Sequence, residues 1–203
     1  MIKILPMVFA IILLPALSGC AGMADATSKI AGLGVVTQEK STFDGATIVE
    51  VSPNWLYDPE ASRGNSVKLG ALWSSNAPEF TALVLSYSSN TSGSSAAYIG
   101  LSGIDINIDG DIKSFSSGKP TDLDSSGYNS VSRTIYTESK NTVVIPYSIL
   151  ERMMSAKDCR LRIHTSKGYE DARFSIERIP GGQGTAILSI REFIGKVNAE
   201  KKG

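Results

Sequence analysis

Apolar and polar residues alternate with a period of two along most of the chain after Thr47. Successive side chains of a β-strand point to opposite faces, so this alternation predicts strands with one buried face. The stretch 80–87 is apolar at most positions of both faces, which indicates a central strand. The predicted strands cover residues 47–51, 67–73, 80–87, 96–108, 131–137, 142–146, 159–165 and 171–178.

Turn-forming residues separate the predicted strands. Residues 139–141 and 167–169 predict hairpin turns, and the polar run 114–130 predicts a surface loop. Two segments, 148–151 and 189–192, read Ser-x-x-Glu beside an apolar stripe, which is the pattern of a helix capping box. We therefore expect a mainly β or α+β fold, an antiparallel sandwich-like domain that carries two short helices.

A short apolar run, residues 4–14, follows Lys3 at the start of the chain and is interrupted only by Pro6. It is shorter than the roughly 20 apolar residues that a membrane-spanning helix needs. A cationic start, a short apolar run and small residues before a cleavage point are typical of a secretion signal. The pattern predicts a signal peptide over residues 1–19, and the alternative is an uncleaved membrane anchor.

The segment Leu17-Ser18-Gly19-Cys20 resembles the bacterial lipobox at all four positions. The resemblance implies cleavage before Cys20, attachment of diacylglycerol to its thiol and acylation of the new amino terminus. Durable anchoring needs two or more acyl chains, because each buried methylene contributes only about 0.8 kcal/mol. The alternative is an ordinary signal followed by a chance cysteine.

The residue after the cysteine is Ala21 and not aspartate. In Gram-negative lipoproteins an aspartate there commonly marks retention in the inner membrane, so the resemblance implies an outer-membrane anchor that faces the periplasm. Residues 20–44 are small and polar, without a sustained period, which predicts a lipidated tether. The chain then divides into a signal peptide (1–19), a tether (20–44) and a single β-rich domain (45–203).

The charge of the mature chain is nearly balanced. Removal of the leader deletes only Lys3, which leaves 20 − 1 = 19 Lys+Arg against 20 Asp+Glu. Nucleic-acid binding usually requires a basic excess or stripe, so we predict no nucleic-acid partner. The predicted partners are the membrane, through the lipid, and a component of the cell envelope.

The second cysteine, Cys159, has no intramolecular partner if Cys20 carries lipid. It alternates with Leu161 and Ile163, which places the three side chains on one face of a predicted strand. We expect a buried structural cysteine. The alternative is a reactive or intermolecular thiol.

Residues 105–112 resemble the start of an EF-hand or dockerin-type calcium loop. The twelfth position of such a loop needs a bidentate carboxylate, and Ser116 stands there. Asp109-Gly110 is also a strong signal for a type I′ hairpin turn between two strands. We expect the hairpin and keep a calcium site as the weaker alternative. Its candidate ligands are Asp105, Asn107, Asp109 and Asp111.

Known catalytic patterns do not occur in the chain. His164 is the one histidine, and the sequence contains neither a Gly-x-Ser-x-Gly elbow nor a phosphate- or dinucleotide-binding loop. We predict no catalytic residue, no cofactor and no metal. Trp55 and Tyr57 lie in a proline-bounded segment and are ligand candidates, although we favour a role in closing one end of the sandwich.

These observations favour a non-enzymatic, membrane-anchored envelope lipoprotein that binds a protein or another envelope component. The alternative is a domain that binds a glycan or a lipid. A hydrolase with dispersed carboxylates that converge in the fold is a third, weaker hypothesis.

Overall fold

The computed structural model describes residues 19–60, 67–91, 98–131 and 133–202. These residues form three helices and ten strands. In chain order they are α1 (Gly19–Ile30), β1 (Val36–Lys40), β2 (Thr47–Trp55), β3 (Val67–Ser74), β4 (Phe80–Thr91), β5 (Leu101–Ile108), β6 (Asp111–Ser116), β7 (Asp122–Asn129), β8 (Thr134–Pro146), α2 (Tyr147–Ser155), β9 (Cys159–Thr165), β10 (Gly168–Arg173) and α3 (Ala186–Glu200).

The strands form two antiparallel sheets. The six-stranded sheet has the order β1-β2-β3-β4-β8-β7, and the four-stranded sheet has the order β10-β9-β5-β6. Leu69 and Leu85 of the first sheet and Ile104 of the second are fully buried in one shared core. The predicted mainly β, sandwich-like α+β fold is confirmed.

Helix α3 packs against β2 and β3 and closes the core there. Its residues Ile190, Phe193 and Val197 are fully buried. Their spacing of three and four residues places them on one face of the helix, as the apolar stripe predicted.

A bulge in β2 explains a glycine in the neighbouring strand. The pairing of β2 with β3 shifts between Val51 and Asn54, and Pro53, which has no N–H to donate, lies within the shift. A Cβ atom on Gly70 of β3 would lie 2.5 Å from the carbonyl oxygen of Val51. The bulge therefore requires glycine at position 70 for steric reasons.

Several predicted strands match the structure closely. Strand β9 has the predicted bounds. Strand β10 spans Gly168–Arg173 and not the predicted 171–178, because the chain turns at residues 166–167, slightly before the predicted 167–169. Strand β5 begins at Leu101, later than the predicted residue 96, and residues 92–97 lie outside the described part of the chain.

The predicted hairpin around residues 139–141 is wrong. Residues 134–146 form one strand, β8, which pairs with β4 along its whole length. Asn141 is buried within it, and its side-chain amide donates to the carbonyl oxygens of Leu101 and Lys119. A turn-forming residue type thus lies inside a strand because its side chain satisfies buried carbonyl groups.

The predicted surface loop over residues 114–130 is also wrong. It contains the end of β6 and all of β7, which pair with β5 and β8. Every side chain of β7 is exposed, so the strand has no alternation for a sequence pattern to detect. Main-chain hydrogen bonds to β8 hold it at the edge of the sheet.

Neither predicted capping box forms. Helix α2 has Pro146 as its N-cap, without a side-chain cap. Helix α3 begins at Ala186, so Ser189 lies within it and donates its hydroxyl to the carbonyl oxygen of Ala186. The two predicted helices exist, but they start earlier than their Ser-x-x-Glu signals.

The structure differs from the tether expected over residues 20–44. Residues Gly19–Ile30 form α1, a third helix, and β1 pairs with β2 as an edge strand of the larger sheet. Leu17 and Ser18 of the predicted lipobox lie outside the described residues, whereas Gly19 and Cys20 are in the first turn of α1. Among the described helices, none is both long and apolar enough to span a bilayer.

Candidate functional site

The four-stranded sheet turns a charged face away from the core. Along β9 the buried residues Cys159, Leu161 and Ile163 alternate with more exposed residues, because a strand directs successive side chains to opposite faces. We call the opposite side the outer charged face. It consists of Asp105 and Asn107 of β5, Ile112 and Ser114 of β6, Arg160, Arg162 and His164 of β9, and Tyr169, Asp171 and Arg173 of β10.

Arg162 lies at the centre of this face and is held in place on two sides. It is opposite Asp105 of β5 and Asp171 of β10 in the strand register. Its Nε and Nη2 atoms donate to the two carboxylate oxygens of Asp171, both at 2.8 Å, and the Tyr169 ring centroid lies 4.0 Å from its Cζ atom. The hydrogen bonds to Asp171 raise the pKa of Arg162 above its ordinary value. The guanidinium is therefore a fixed, permanent positive charge.

Asp105 is the second fixed group of the outer charged face. Its Oδ2 atom lies 2.9 Å from Nε2 of His164. The Ser114 hydroxyl and then His164 lower the pKa of Asp105 against the opposing effect of burial. The carboxyl group consequently stays ionised at neutral pH.

A hollow of about 290 Å³ opens over this face. Two residues of its lining, Asp58 and Glu60, come from the segment after β2 and lie at one corner. Glu60 accepts from Nη2 of Arg173 at 2.6 Å. The charged lining consists of the carboxylates Asp58, Glu60, Asp105 and Asp171 and the guanidiniums Arg160, Arg162 and Arg173, a formal charge of 3 − 4 = −1.

Two neighbouring side chains in the hollow have N–H groups that could donate hydrogen bonds to a ligand. Arg160 and Asn107 are opposite each other in the register of β9 and β5. Arg160 uses Nε to bind Asp158 at 2.8 Å, and Asn107 uses its carbonyl oxygen to accept from the Gly110 N–H. Within the described residues, the terminal Nη groups of Arg160 and the Nδ2 group of Asn107 make no hydrogen bond. The hollow can therefore donate several hydrogen bonds to acceptor groups of a ligand.

The calcium candidates form the predicted hairpin and point to separate partners. Asp109 and Gly110 have φ angles of 50° and 98°, as a type I′ turn requires. Asp109 accepts from the main-chain N–H groups of Lys157 and Asp158, whereas Asp111 pairs with Arg152 of α2 at 2.8 Å. In the described part of the chain, no three His, Cys, Asp or Glu residues are grouped to hold a metal ion.

Trp55 and Tyr57 are half-buried at the junction of the two sheets. Trp55 ends β2, and Nζ of Lys68 lies 5.2 Å from its ring centroid. The main chain of Tyr57 bridges to Arg173, the last residue of β10. The hollow is lined by the nearby Asp58 and Glu60 and by neither aromatic residue. A ligand role for the two aromatic residues stays a prediction.

Cys159 is fully buried, as predicted. Burial, with smaller effects of Asp158 and Asp109, raises the pKa of its thiol to about 12. Because the thiolate is the reactive form of cysteine, this residue packs in the core and is unreactive while the protein is folded.

Sequence reasoning missed most of the hollow. Arg160, Arg162, Asp171 and Arg173 had a detectable signal, since each lies at an alternate position of a predicted strand. What the sequence does not contain is the register that brings β9 between β5 and β10, or the position of Glu60 at the corner.

Comparison with known proteins adds no family to this geometry. The sequence matches no protein-family model, and neither a curated protein nor a solved structure is detectably similar to the chain.

Proposed function

We propose that this protein is a non-enzymatic envelope lipoprotein, anchored in a membrane through Cys20 and facing the periplasm from the outer membrane. In this proposal the domain binds another envelope component, a protein, through the outer charged face. The lipobox supports the anchor. The hollow over the outer charged face, with fixed charges and donors left for a ligand, is the observation that carries the binding role.

The charge arrangement favours binding over hydrolysis. A carboxyl group that acts as a general acid needs a raised pKa, so that it holds a proton near neutral pH. The pKa of Asp105 is lowered, and both carboxylate oxygens of Asp171 are bound by Arg162. Asp105 is therefore poorly suited to donate a proton, and Asp171 is engaged in orienting the Arg162 guanidinium.

The same arrangement favours a polar partner surface. Complementary charges across an interface mainly determine which partner is accepted and how fast it associates. The arginines of the hollow suit carboxylates and main-chain carbonyls, and the carboxylates suit basic side chains. A folded protein presents such groups together, whereas an acyl chain presents none.

Two measurements test the anchor. Mass spectrometry of the protein purified from bacterial membranes is expected to find diacylglycerol on Cys20 and no leader. Fractionation of the envelope is expected to find the protein with the outer membrane. An unmodified cysteine or an uncut leader would refute the lipoprotein assignment.

Site-specific photo-crosslinking in intact cells tests the binding face. A photoreactive amino acid replaces Ile112, which lines the hollow and is 60% exposed, and in a matched control it replaces Val144, which is 61% exposed on the six-stranded sheet. We expect a discrete crosslinked protein from position 112 and a much weaker one from position 144. Adding Arg160→Ala to the position 112 variant should reduce the yield of this crosslinked product. Equal products at both positions, or none at 112, would count against this face.

A glycan is the second candidate ligand. The adjacent donors of Arg160 and Asn107 favour it, because planar side chains of this kind can bind neighbouring oxygens of a sugar ring. Sedimentation of the protein with purified peptidoglycan separates the two hypotheses. Retention that Arg160→Ala abolishes would favour the glycan over the protein partner.

A further inference from the structure

Helix α1 is fixed to the folded domain by its charged side chains. Asp25 forms two hydrogen bonds with the Arg178 guanidinium, at 2.9 and 3.1 Å, and also accepts from the Gly184 N–H. One turn later Nζ of Lys29 lies 2.8 Å from a carboxylate oxygen of Glu192 on α3. These contacts hold the middle and the carboxy-terminal end of the helix on the domain.

The chain after α1 is bound to the domain as well. The Ser52 hydroxyl donates to the carbonyl oxygen of Gly32 and accepts from the N–H of Val35. Strand β1 then pairs with β2 from Val36 onward. The described residues between α1 and the sheet therefore leave no free tether.

The opposite side of α1 is exposed and uncharged. Met23 is 72% exposed and Ile30 is 89% exposed, and their separation of seven residues places them on the same side of the helix. Ala26 and Thr27 are the other exposed uncharged residues on this side of α1, and the charged Lys29 lies beyond its edge, seven residues after Gly22. The Thr27 hydroxyl donates within the helix, to the carbonyl oxygen of Met23. A helix face in contact with water usually carries charged residues, and this face carries none.

The proposed anchor lies directly beside this face. Cys20 is in the first turn of α1, and Met23 follows it by three residues, an axial rise of about 4.5 Å. Acyl chains attached at Cys20 would therefore bring this end of the helix to the lipid headgroups. The domain has to follow, because α1 is ion-paired to it.

We propose that α1 lies along the bilayer interface, with Met23 and Ile30 in contact with lipid, and holds the domain directly against the membrane. The proposal rests on the lipidation of Cys20 and adds to it a second, non-covalent contact with the bilayer. It names the lipid surface as the partner of this helix face. An anchored domain on a free tether would leave Ile30 in water.

Lipid-quenching fluorescence of the full chain tests this contact. The protein is expressed with its leader, purified from membranes, checked by mass spectrometry for lipid on Cys20, and reconstituted into phosphatidylethanolamine/phosphatidylglycerol vesicles. Single variants Met23→Cys and Ile30→Cys receive a bimane label. The native Cys159 is buried and its thiol has a raised pKa, so it should not react.

Val131→Cys is the matched control, because Val131 is an exposed apolar residue near the end of the β7–β8 hairpin, at the far edge of the sheet from β2. In vesicles with nitroxide-labelled lipid we expect both helix labels to lose about half of their fluorescence or more, since an interfacial helix buries its apolar face about 5–10 Å deep. The label at position 131 should keep nearly all of its fluorescence.

The outcomes separate this inference from the proposed function. Lipid on Cys20 with quenching at positions 23 and 30 supports both proposals. Lipid on Cys20 with quenching at 23 alone, or at neither position, would overturn the interfacial helix and leave the lipoprotein intact. An unmodified Cys20 would overturn both.

Discussion

Glu138 provides a stability test that depends on pH. It lies on the six-stranded sheet, where its carboxylate oxygens are 3.1 Å from Nζ of Lys68, 2.9 Å from Nζ of Lys140 and 2.8 Å from the Ser86 hydroxyl. Burial raises the pKa of Glu138, but hydrogen bonds from Lys140, Ser86 and Lys68 outweigh it and lower the pKa from 4.5 to about 2. The folded state therefore binds the ionised form of this carboxyl group more favourably than the unfolded state does.

The difference in pKa limits the free energy involved. A lowering of about 2.5 pKa units, at about 1.36 kcal/mol each, gives an upper limit of ~3 kcal/mol to the stability from ionised Glu138. The side chain is 30% exposed, so solvent screening reduces the contribution to about 1–2 kcal/mol. Because the folded pKa is depressed, this contribution is fully present above pH 4.5 and is lost as the pH falls towards 2.

Urea denaturation of the protein and of Glu138→Gln at several pH values measures this contribution. We expect the variant to be less stable by about 1–2 kcal/mol at pH 7, because Lys68 is largely buried and loses its charged partner. The difference should shrink steadily below pH 4.5 and become small only as the pH falls through about 2. Glu39→Gln, an exposed substitution on β1, should change stability little at any pH.

A constant difference between the protein and Glu138→Gln across this pH range would refute the reasoning. It would mean that the glutamine disturbs packing and that the charge of Glu138 adds nothing. A similar pH dependence in the Glu39→Gln control would show that the effect belongs to the net charge of the chain and not to this cluster.

Three further substitutions, one of them with a matched control, test the packing of the fold and the docking of α1. Gly70→Ala should lower the free energy of unfolding, measured by urea titration, by about 1–3 kcal/mol, because its Cβ would collide with the β2 bulge. The control is Gly100→Ala, which should lower it less because its Cβ would meet no atom closer than 3.4 Å. Phe193→Ala should cost about 3–5 kcal/mol, seen as a lower midpoint of thermal unfolding, because it empties part of the core. Asp25→Ala should remove the two hydrogen bonds to Arg178 and make α1 more susceptible to limited proteolysis, with only a small change in the unfolding midpoint of the domain. Unchanged cleavage would contradict the docking of α1.

Local signals predicted a large part of the fold. The bounds of β9 and the Asp109-Gly110 turn follow from residues that are close together in the chain. The hollow does not, because it depends on β9 lying between β5 and β10. Arg162 lies opposite Asp105 only because β9 pairs with β5. Alternation in the sequence indicates which face of a sheet a residue occupies, but not which residue of the neighbouring strand lies beside it.

The docking of α1 on the domain could not be predicted from the sequence for a related reason. The helix has small residues and a weak apolar stripe, and its fixing contacts are ion pairs with Arg178 and Glu192, more than 150 residues away in the chain. This matters for the proposed function, because a free tether of about 20 residues would let the domain reach roughly 60–70 Å from the membrane in any orientation. A lipidated chain whose docked α1 also lies along the bilayer, as proposed above, holds the domain close to the membrane and restricts its orientation. Its partner would then have to be a membrane-proximal component, so breaking the Asp25–Arg178 pair should broaden the set of proteins that crosslink at position 112.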